Sequence, residues 1–262
     1  MDERSYGLLN LFSQAAQKYS IPQIMKMKYN VKDRGSQPDE YNMCYKKTMT
    51  HLASTVGPDW VCFWWKSANI DNYESCVQRI SALGQQKPTS DQVAWFGNLN
   101  SPLNDVPEYY TRPRLQEIAL ANPTLLHVQH VPPHNDKIDE RVPNYMTLHD
   151  MVQKYKYLLD IGGNGYSGRL KFLLFSHRPV FVVDREYIEY FHNLLVPFIH
   201  YIPVREDLSD LVDKIRWANA NQQKCQEIAE AAYTFATTHL VKDKFLERIR
   251  DVYNNLATKG TF

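Results

Sequence analysis

Apolar positions in the second half of the chain recur with two different spacings, and these predict strands and helices in alternation. Short apolar runs have the length of buried strands at 157–161, 179–183 and 198–204. Apolar residues recur at helical spacing over 167–176, 187–195, 207–217, 222–239 and 243–256. Strands that alternate with helices in this way are typical of an α/β fold with a parallel sheet.

The first half of the chain carries the same two patterns with longer polar segments between them. Strands are predicted at 61–65, 92–96 and 125–128, and helices at 5–20, 41–56, 73–83 and 114–121. The proline-rich segment 130–144 is predicted to be a long loop or a boundary region. Because the strands fall into two groups, 61–65 with 92–96 and 125–128 onward, two domains are predicted.

The composition narrows the class of protein. With 262 residues, of which 44% are hydrophobic, the chain is long and apolar enough for one large domain or two small ones. Its formal charge of +1 gives no global field that would attract nucleic acid or an anionic membrane, so neither is expected as a partner. No run approaches the roughly 18 apolar residues of a membrane-spanning helix.

The N-terminal residues and the cysteines favour a cytoplasmic location. The first four residues, Met1 to Arg4, lack the basic and apolar pattern of a signal peptide. The cysteines show no C-x-x-C spacing, which favours reduced, buried thiols over disulfides or a zinc site. They are Cys44, Cys62, Cys76 and Cys225.

A glycine-rich loop at 162–168 provides the first candidate chemistry. Residues 163–168 match G-x-G-x-x-G between a predicted strand and a predicted helix, where backbone N–H groups and the helix dipole favour an anion. Asp184 ends the next predicted strand, near the offset of about 20 residues at which dinucleotide-binding folds place a ribose-binding acid. One interpretation is therefore an NAD(P)-dependent oxidoreductase.

The residues that follow the loop favour a different anion. Ser167, Arg169 and Lys171 place a hydroxyl group and two cations at the predicted helix entrance. A cofactor that is never cleaved needs only backbone donors there, whereas a departing diphosphate gains negative charge that a guanidinium group stabilises. A nucleotide-diphosphate site is therefore favoured over a dinucleotide site, and a purely structural glycine turn is the third alternative.

An ordered series of short motifs runs from about residue 145 to residue 240. The motifs are K-Y-K-Y-L-L-D at 154–160, Gly162, S-x-R-x-K-x-L at 167–173, H-Y-I-P-V at 200–204, D-L-S-D-L at 207–211, I-x-W-A at 215–218 and I-A-x-x-A-x-x-F-A at 228–236. In these motifs the sequence resembles glycosyltransferase family 90, which includes protein O-glucosyltransferases and capsule-associated xylosyltransferases. A weaker match is W-F-G-N at 95–98, with Arg112 or Arg114 downstream.

The resemblance implies a GT-B type fold, in which two Rossmann-like domains face each other across a cleft and C-terminal helices close the structure. It places an acceptor-side domain at 1–120 and a nucleotide-sugar-binding domain at 121–240. The remaining helix, at 241–262, can pack back on the first domain.

The resemblance also implies that glucose or xylose is transferred from a UDP-sugar with inversion, with a slight preference for xylose. No cofactor is implied, because the UDP-sugar is a substrate, and the acceptor partner is a glycan or a glycoprotein. Ser167 and Arg169 match the family's diphosphate-holding residues. The full set of candidate nucleotide-sugar contacts is Gly162, Gly163, Gly165, Ser167, Arg169, Lys171, Asp184 and Arg205.

An inverting transfer needs one base to take the proton of the acceptor hydroxyl group. In the family this base is an aspartate just beyond a strand of the N-terminal domain, within an Arg-Asp pair that this chain lacks. Asp71 is the nearest aspartate beyond the predicted strand 61–65, and Glu74 is the reserve candidate. Asp59 precedes that strand and would lie at its wrong end.

Metal chemistry is not expected from the sequence. No Asp-x-Asp occurs, so Arg169 is predicted to take the role of a divalent cation at the diphosphate. The group His134, Asp136 and Asp139 is a weak metal candidate, since such residues in a proline-rich loop are more often solvated. A non-catalytic module that binds a sugar nucleotide or a glycan is a further alternative to an enzyme.

Overall fold

The computed structural model describes residues 2–21, 23–34, 36–100, 111–131 and 146–260. Its helices are α1 (Glu3–Tyr19), α2 (Tyr73–Gly84), α3 (Thr111–Ala121), α4 (Leu148–Lys154), α5 (Leu170–Leu173), α6 (Leu211–Ala220), α7 (Gln222–His239) and α8 (Lys242–Thr258). Its strands are β1 (Tyr29–Asn30), β2 (Tyr41–Asn42), β3 (Tyr45–Lys46), β4 (Ser90–Gly97), β5 (Leu126–His130), β6 (Tyr155–Asp160), β7 (Val180–Val183), β8 (Tyr187–Ile188) and β9 (Ile202–Val204).

The chain divides into two compact units. The first consists of Met1–Cys76, Glu186–Leu194 and Thr237–Phe262, and the second consists of Val77–Arg185 and Leu195–Ala236. These ranges differ from the predicted 1–120, 121–240 and 241–262. The two predicted strand groups are also not separate, because 92–96 lies in β4, which pairs with both β5 and β6.

The second unit is built on one five-stranded sheet in the order β5-β4-β6-β7-β9, with every neighbouring pair parallel. From β4 the chain passes to β5 on one side, and then returns to β6 on the other side. The strand order therefore reverses between β4 and β6. Ligands of open α/β sheets bind outside the carboxyl ends of the strands at such a switch point.

One face of this sheet forms the core of the second unit. Alternate residues of each strand enter it, as the two-residue period of a strand requires. The strand residues are Val93, Trp95, Leu126, Tyr157, Leu159, Phe181, Val183, Ile202 and Val204. Helix α6 packs on them through Leu211, Ile215 and Ala218, which share one helix face at spacings of four and three.

The first unit is organised by α1 and α8 rather than by a large sheet. The carboxylate of Asp2 caps α1 by accepting from the N–H of Ser5. Helix α8 packs on α1, and both helices carry a stripe of buried apolar residues. The strands of this unit form two pairs, β1 with β2 and β3 with β8. The structure thus supports an α/β fold whose main sheet is parallel and has five strands.

The predicted strand at 61–65 is wrong. Residues Trp60–Cys62 form a 3-10 helix, closed by hydrogen bonds from the N–H of Cys62 to Asp59 O and from the N–H of Phe63 to Trp60 O. The aromatic rings of this segment bury one another and pack on α1, where Tyr6 stacks on Trp64 with ring centres 4.5 Å apart. Val61 and Cys62 are therefore buried in a helical turn rather than a strand, and Trp65 forms an isolated antiparallel bridge with Ile70.

Two predicted helices are also replaced by other structures. The range 41–56 contains β2, β3 and the 3-10 helix Thr50–Thr55, because residues 41–45 are buried in succession and a helix with one solvent-facing side does not bury five residues in a row. The range 187–195 contains β8, whose pairing with β3 overrides the helical spacing, and a 3-10 helix at His192–Leu194.

No helix in the described part of the chain is both long and apolar enough to cross a membrane.

Candidate functional site

Arg112 joins the two strands that flank the switch point. It lies in the first turn of α3, and its Nη1 donates to Asn98 O, just past β4, at 2.8 Å. Its Nε donates to Gly162 O, just past β6, at 2.9 Å. One guanidinium group therefore connects the carboxyl ends of β4 and β6, where a ligand of this fold is expected.

The ring of Trp95 contacts two cations at the carboxyl ends of the strands. The guanidinium carbon of Arg112 lies 5.3 Å from the centre of the Trp95 ring, and that of Arg169 lies 5.8 Å from it. Such cation–π contacts orient guanidinium groups without adding a negative charge. A Cβ on Gly97 would lie 2.7 Å from Cζ2 of Trp95, so the ring position requires glycine there.

Asp160, the last residue of β6, is the centre of a buried polar group. Only 1% of its surface is exposed, and its carboxylate accepts from the hydroxyl group of Ser167 at 2.6 Å. The other carboxylate oxygen forms an ion pair with Nη2 of Arg185, which directly follows β7 and Asp184. The hydroxyl proton of Ser167 is thus engaged with Asp160, and its oxygen accepts from the N–H of Arg169 at 3.3 Å.

Arg185 has one donor that no described residue uses. Its Nε donates to Val183 O at 3.3 Å and its Nη2 pairs with Asp160, while Nη1 is buried and has no hydrogen-bond partner among the described residues. The side chain is 6% exposed. Because a buried charged donor without a partner is costly, Nη1 is placed to receive an acceptor from a ligand or from water.

The cluster as a whole is electropositive. Burial, with smaller contributions from the neighbouring Arg169 and Arg185, lowers the pKa of Arg112 to about 10, while Asp160 opposes the shift. Two further guanidinium groups therefore lie near that of Arg112, and one of them, that of Arg185, is paired with the buried carboxylate of Asp160. An anion bound there would favour the charged form of Arg112 and offset the repulsion among the three arginines.

The glycines of the loop allow close packing, and their predicted contact with a nucleotide sugar stays a prediction. A Cβ on Gly162 would lie 2.9 Å from Gly165 O, and one on Gly163 would lie 3.2 Å from Nη2 of Arg112. Glycine is thus needed for close packing, and Gly260 is the only described glycine with a positive φ. The predicted helix 167–176 is only α5, four residues long. So short a helix has no substantial macrodipole, and the positive charge comes from the arginines.

Lys171, Asp184 and Arg205 occupy three different environments. Lys171 is fully buried, and its Nζ donates to Gly168 O at 3.2 Å, so it is not the cation predicted at a helix entrance. Asp184 and Arg205 are exposed and follow the carboxyl ends of β7 and β9. Both therefore lie at the carboxyl-terminal end of the sheet, where the arginine cluster also lies. The role of Asp184 at a ribose and that of Arg205 at a diphosphate stay predictions.

The candidate bases lie in the first unit. Asp71 and Glu74 are exposed, and Glu74 is on α2, where Oε2 lies 3.8 Å from Nζ of Lys242. The strand from which Asp71 was selected does not exist, so its assignment now rests on the resemblance alone. Asp59 is fully buried, and this burial, rather than a strand end, excludes it from contact with an acceptor.

Within the described residues, no group of three or more His, Cys, Asp or Glu side chains is arranged to hold a metal ion. His134, Asp136 and Asp139 lie outside the described residues. The four cysteines are buried and free, as predicted.

Asp160 and Arg185 were not singled out as site residues from the sequence. Each is an ionisable residue at, or two positions past, the end of an apolar strand, and in a parallel sheet such residues converge on one edge. Their position at strand ends could therefore have been predicted from the sequence. The contact between them could not, because nothing in the sequence fixes β6 and β7 as neighbours.

Comparison with known proteins identifies a family and several relatives of this chain. The family model described as glycosyl transferase family 90 matches residues 16–258. Protein O-glucosyltransferase 2 of Danio rerio is 39% identical over 110 residues, which are 42% of this chain and 22% of that protein. Protein O-glucosyltransferase 1 of Rattus norvegicus is 41% identical over 106 residues, which are 40% of this chain and 26% of that protein.

A viral relative is similar over a comparable share of the chain. Uncharacterized protein 035R of Invertebrate iridescent virus 3 is 36% identical over 110 residues, which are 41% of this chain and 10% of that protein. The chain therefore spans 10% to 26% of the length of these three relatives.

Proposed function

The chain belongs to glycosyl transferase family 90, and from this premise we propose that it transfers xylose or glucose from a UDP-sugar to a hydroxyl group of a glycan or glycoprotein. The relatives with descriptive names are O-glucosyltransferases, which supports glycosyl transfer as the type of reaction. The donor nucleotide, the sugar and the acceptor are parts of this proposal.

The observation that carries the proposal is the arginine cluster at the switch point. Arg169 and Arg185 lie close enough to Arg112 to lower its pKa, and Arg185 pairs with the carboxylate of Asp160. Arg112 itself joins the carboxyl ends of β4 and β6. Guanidinium groups suit phosphate oxygens because their paired N–H donors match the oxygen geometry. A diphosphate carries the two or three negative charges that such a cluster can balance.

The proposed reaction is a single inverting displacement. The acceptor oxygen attacks the anomeric carbon of the sugar while the bond from that carbon to the β-phosphate oxygen breaks, and the electron pair of that bond leaves with UDP. The acceptor proton passes to a carboxylate, for which Asp71 is proposed and Glu74 is the reserve. The arginines stabilise the charge that develops on the departing UDP, so no metal ion is required in this scheme.

The GT-B arrangement and the cytoplasmic location are also parts of this proposal. A GT-B arrangement would place the arginine cluster of the second unit at the donor side of a cleft. The cytoplasmic location stays a prediction.

A binding panel tests the proposed donor. Thermal unfolding of the full chain is measured with UDP, UDP-xylose, UDP-glucose and NAD(H), and we expect a rise in the midpoint temperature with the uridine nucleotides because they bind only the folded state. A rise with NAD(H) and none with UDP would instead support the oxidoreductase. Binding of UDP-xylose or UDP-glucose with neither hydrolysis nor sugar transfer to any acceptor would support the non-catalytic binding module.

Arg169→Ala is expected to weaken UDP binding by about 1.5–3 kcal/mol, the range for a charge-assisted hydrogen bond. Titration calorimetry at constant salt measures the change. Arg216→Ala is the matched control, since Arg216 is an exposed arginine of the same unit whose Nη1 donates to Asp213. Equal UDP affinity in Arg169→Ala and in the unaltered chain would remove Arg169 from the site.

A further inference from the structure

Arg185 is a buried arginine that the family motifs of this chain do not include. It stands two residues past β7, next to Asp184, and only 6% of its side chain is exposed. Two of its three nitrogens are held by the protein, Nε by Val183 O and Nη2 by the Asp160 carboxylate. The orientation of the guanidinium group is therefore fixed before any ligand arrives.

The third nitrogen, Nη1, is buried and has no hydrogen-bond partner in the part of the chain that the structure describes. The side chain runs beside the glycine loop, since a Cβ on Gly162 would lie 3.6 Å from Cδ of Arg185. Arg185 is also close enough to Arg112 to lower its pKa. The unused donor thus belongs to the switch-point cluster.

We propose that Arg185 binds the diphosphate of the donor nucleotide through Nη1, and that Asp160 is the positioning residue that holds Arg185 and Ser167 in place for it. This inference rests on the proposed function, because it takes the anion to be a nucleoside diphosphate. Asp160 touches no substrate in this scheme. Its carboxylate accepts from the Ser167 hydroxyl group and from Arg185, and so fixes the two side chains relative to each other.

If Arg185 has only a structural role, a different effect on nucleotide affinity is expected. An arginine that only neutralises Asp160 would matter for folding, and its loss would leave the affinity for each nucleotide unchanged wherever the protein is folded. An arginine that binds phosphate would matter for ligands in proportion to the phosphates they carry. Affinity for uridine, UMP and UDP therefore separates the two roles.

Arg178 offers a matched control on the same strand. It precedes β7 at the opposite end from Arg185, is also buried, and donates to Val152 O and Gln86 O. Burial lowers the pKa of Arg178 as well. Arg178→Met and Arg185→Met therefore both remove a buried guanidinium group from the same unit, and only the second removes one from the proposed site.

The test titrates the full chain with uridine, UMP and UDP by calorimetry at a temperature where each variant is folded. We expect Arg185→Met to lower UDP affinity about 10- to 100-fold, the effect of one charge-assisted hydrogen bond, while uridine affinity is unchanged. Arg178→Met is expected to bind UDP like the unaltered chain. If Arg185→Met does not fold, Arg185→Lys, which keeps the charge beside Asp160 but not the planar fork, is expected to lose UDP affinity in the same direction.

Each other outcome overturns a specific statement. Unchanged UDP affinity in Arg185→Met, with weakened affinity in Arg169→Ala, would leave the proposed function standing and show that Nη1 meets only water. Equal losses for uridine and UDP would mean that Arg185 acts on the fold of the site rather than on phosphate. If the unaltered chain binds no UDP, the proposed function fails, and this inference fails with it.

Discussion

Asp160→Asn is expected to lower the free energy of unfolding by about 3–5 kcal/mol, the range for breaking a buried ion pair by removing one partner. The substitution keeps the volume of the side chain but leaves Arg185 as a buried cation without its carboxylate. The amide also has one acceptor oxygen, so it cannot accept from the Ser167 hydroxyl group and from Nη2 of Arg185 on separate atoms as the carboxylate does. Urea unfolding followed by circular dichroism measures the loss.

Asp91→Asn is the control for this change. Asp91 is an aspartate of the same sheet whose side chain is 86% exposed and lies 3.4 Å from Nζ of Lys156. An exposed pair of this kind contributes at most about 1 kcal/mol. A loss in Asp160→Asn as small as that in Asp91→Asn would show that Asp160 and Arg185 do not form a buried pair in solution.

A double variant separates stability from binding. Asp160→Asn with Arg185→Met removes both charges, and we expect it to regain much of the stability that Asp160→Asn loses, because no unpaired buried charge is left. The double variant would still lack Nη1 of Arg185, so we expect it to bind UDP weakly. Recovery of UDP affinity together with stability would contradict the proposed role of Arg185.

The sequence predicted secondary structure correctly where the spacing of apolar residues is compatible with one type of element. The runs at 157–161 and 179–183 became β6 and β7, because strands buried on both faces need continuous apolar residues. The ranges 5–20, 222–239 and 243–256 became α1, α7 and α8, whose buried residues follow the helical period. In these segments local preference and tertiary packing agree.

The sequence was insufficient where burial came from local packing of large side chains. The apolar run at 61–65 has the composition of a strand, yet its rings are buried against one another and against Tyr6. Periodicity alone cannot distinguish that outcome from a sheet. This strand belonged to one of the two strand groups that suggested two domains, and the described part of the first unit has two small strand pairs. The Rossmann-like N-terminal domain that the resemblance implies stays a prediction.

The candidate site was predicted in part, because a motif marks a place but not the partners of each atom. The loop at 162–168 and Arg169 were located from the sequence. That the Ser167 hydroxyl group donates to Asp160 rather than outward depends on a buried carboxylate seven residues earlier. The contribution of Arg112, Asp160 and Arg185 follows from the neighbours of β6 in the sheet, and strand order is a tertiary property.

Asp71→Asn is expected to lower the rate of sugar transfer by about 10²- to 10⁴-fold, the contribution of a positioned general base, and to leave UDP affinity unchanged. The structure makes this substitution a clean test. The N-terminus of α2 is capped by the neighbouring Asn72, whose Oδ1 accepts from the N–H of Ser75 at 2.9 Å. Asp71 is exposed, so its replacement should change the unfolding free energy by less than about 0.5 kcal/mol.

The measurement is UDP release from UDP-xylose and UDP-glucose with glycan acceptors that the unaltered chain uses. Glu74→Gln is the comparison, since Glu74 lies two residues past the cap and, among the described residues, forms an exposed ion pair with Lys242. Full turnover in Asp71→Asn with a large loss in Glu74→Gln would move the base to Glu74. Full turnover in both would exclude the α2 N-terminus, and the proton would then have to pass to a carboxylate or histidine in another segment.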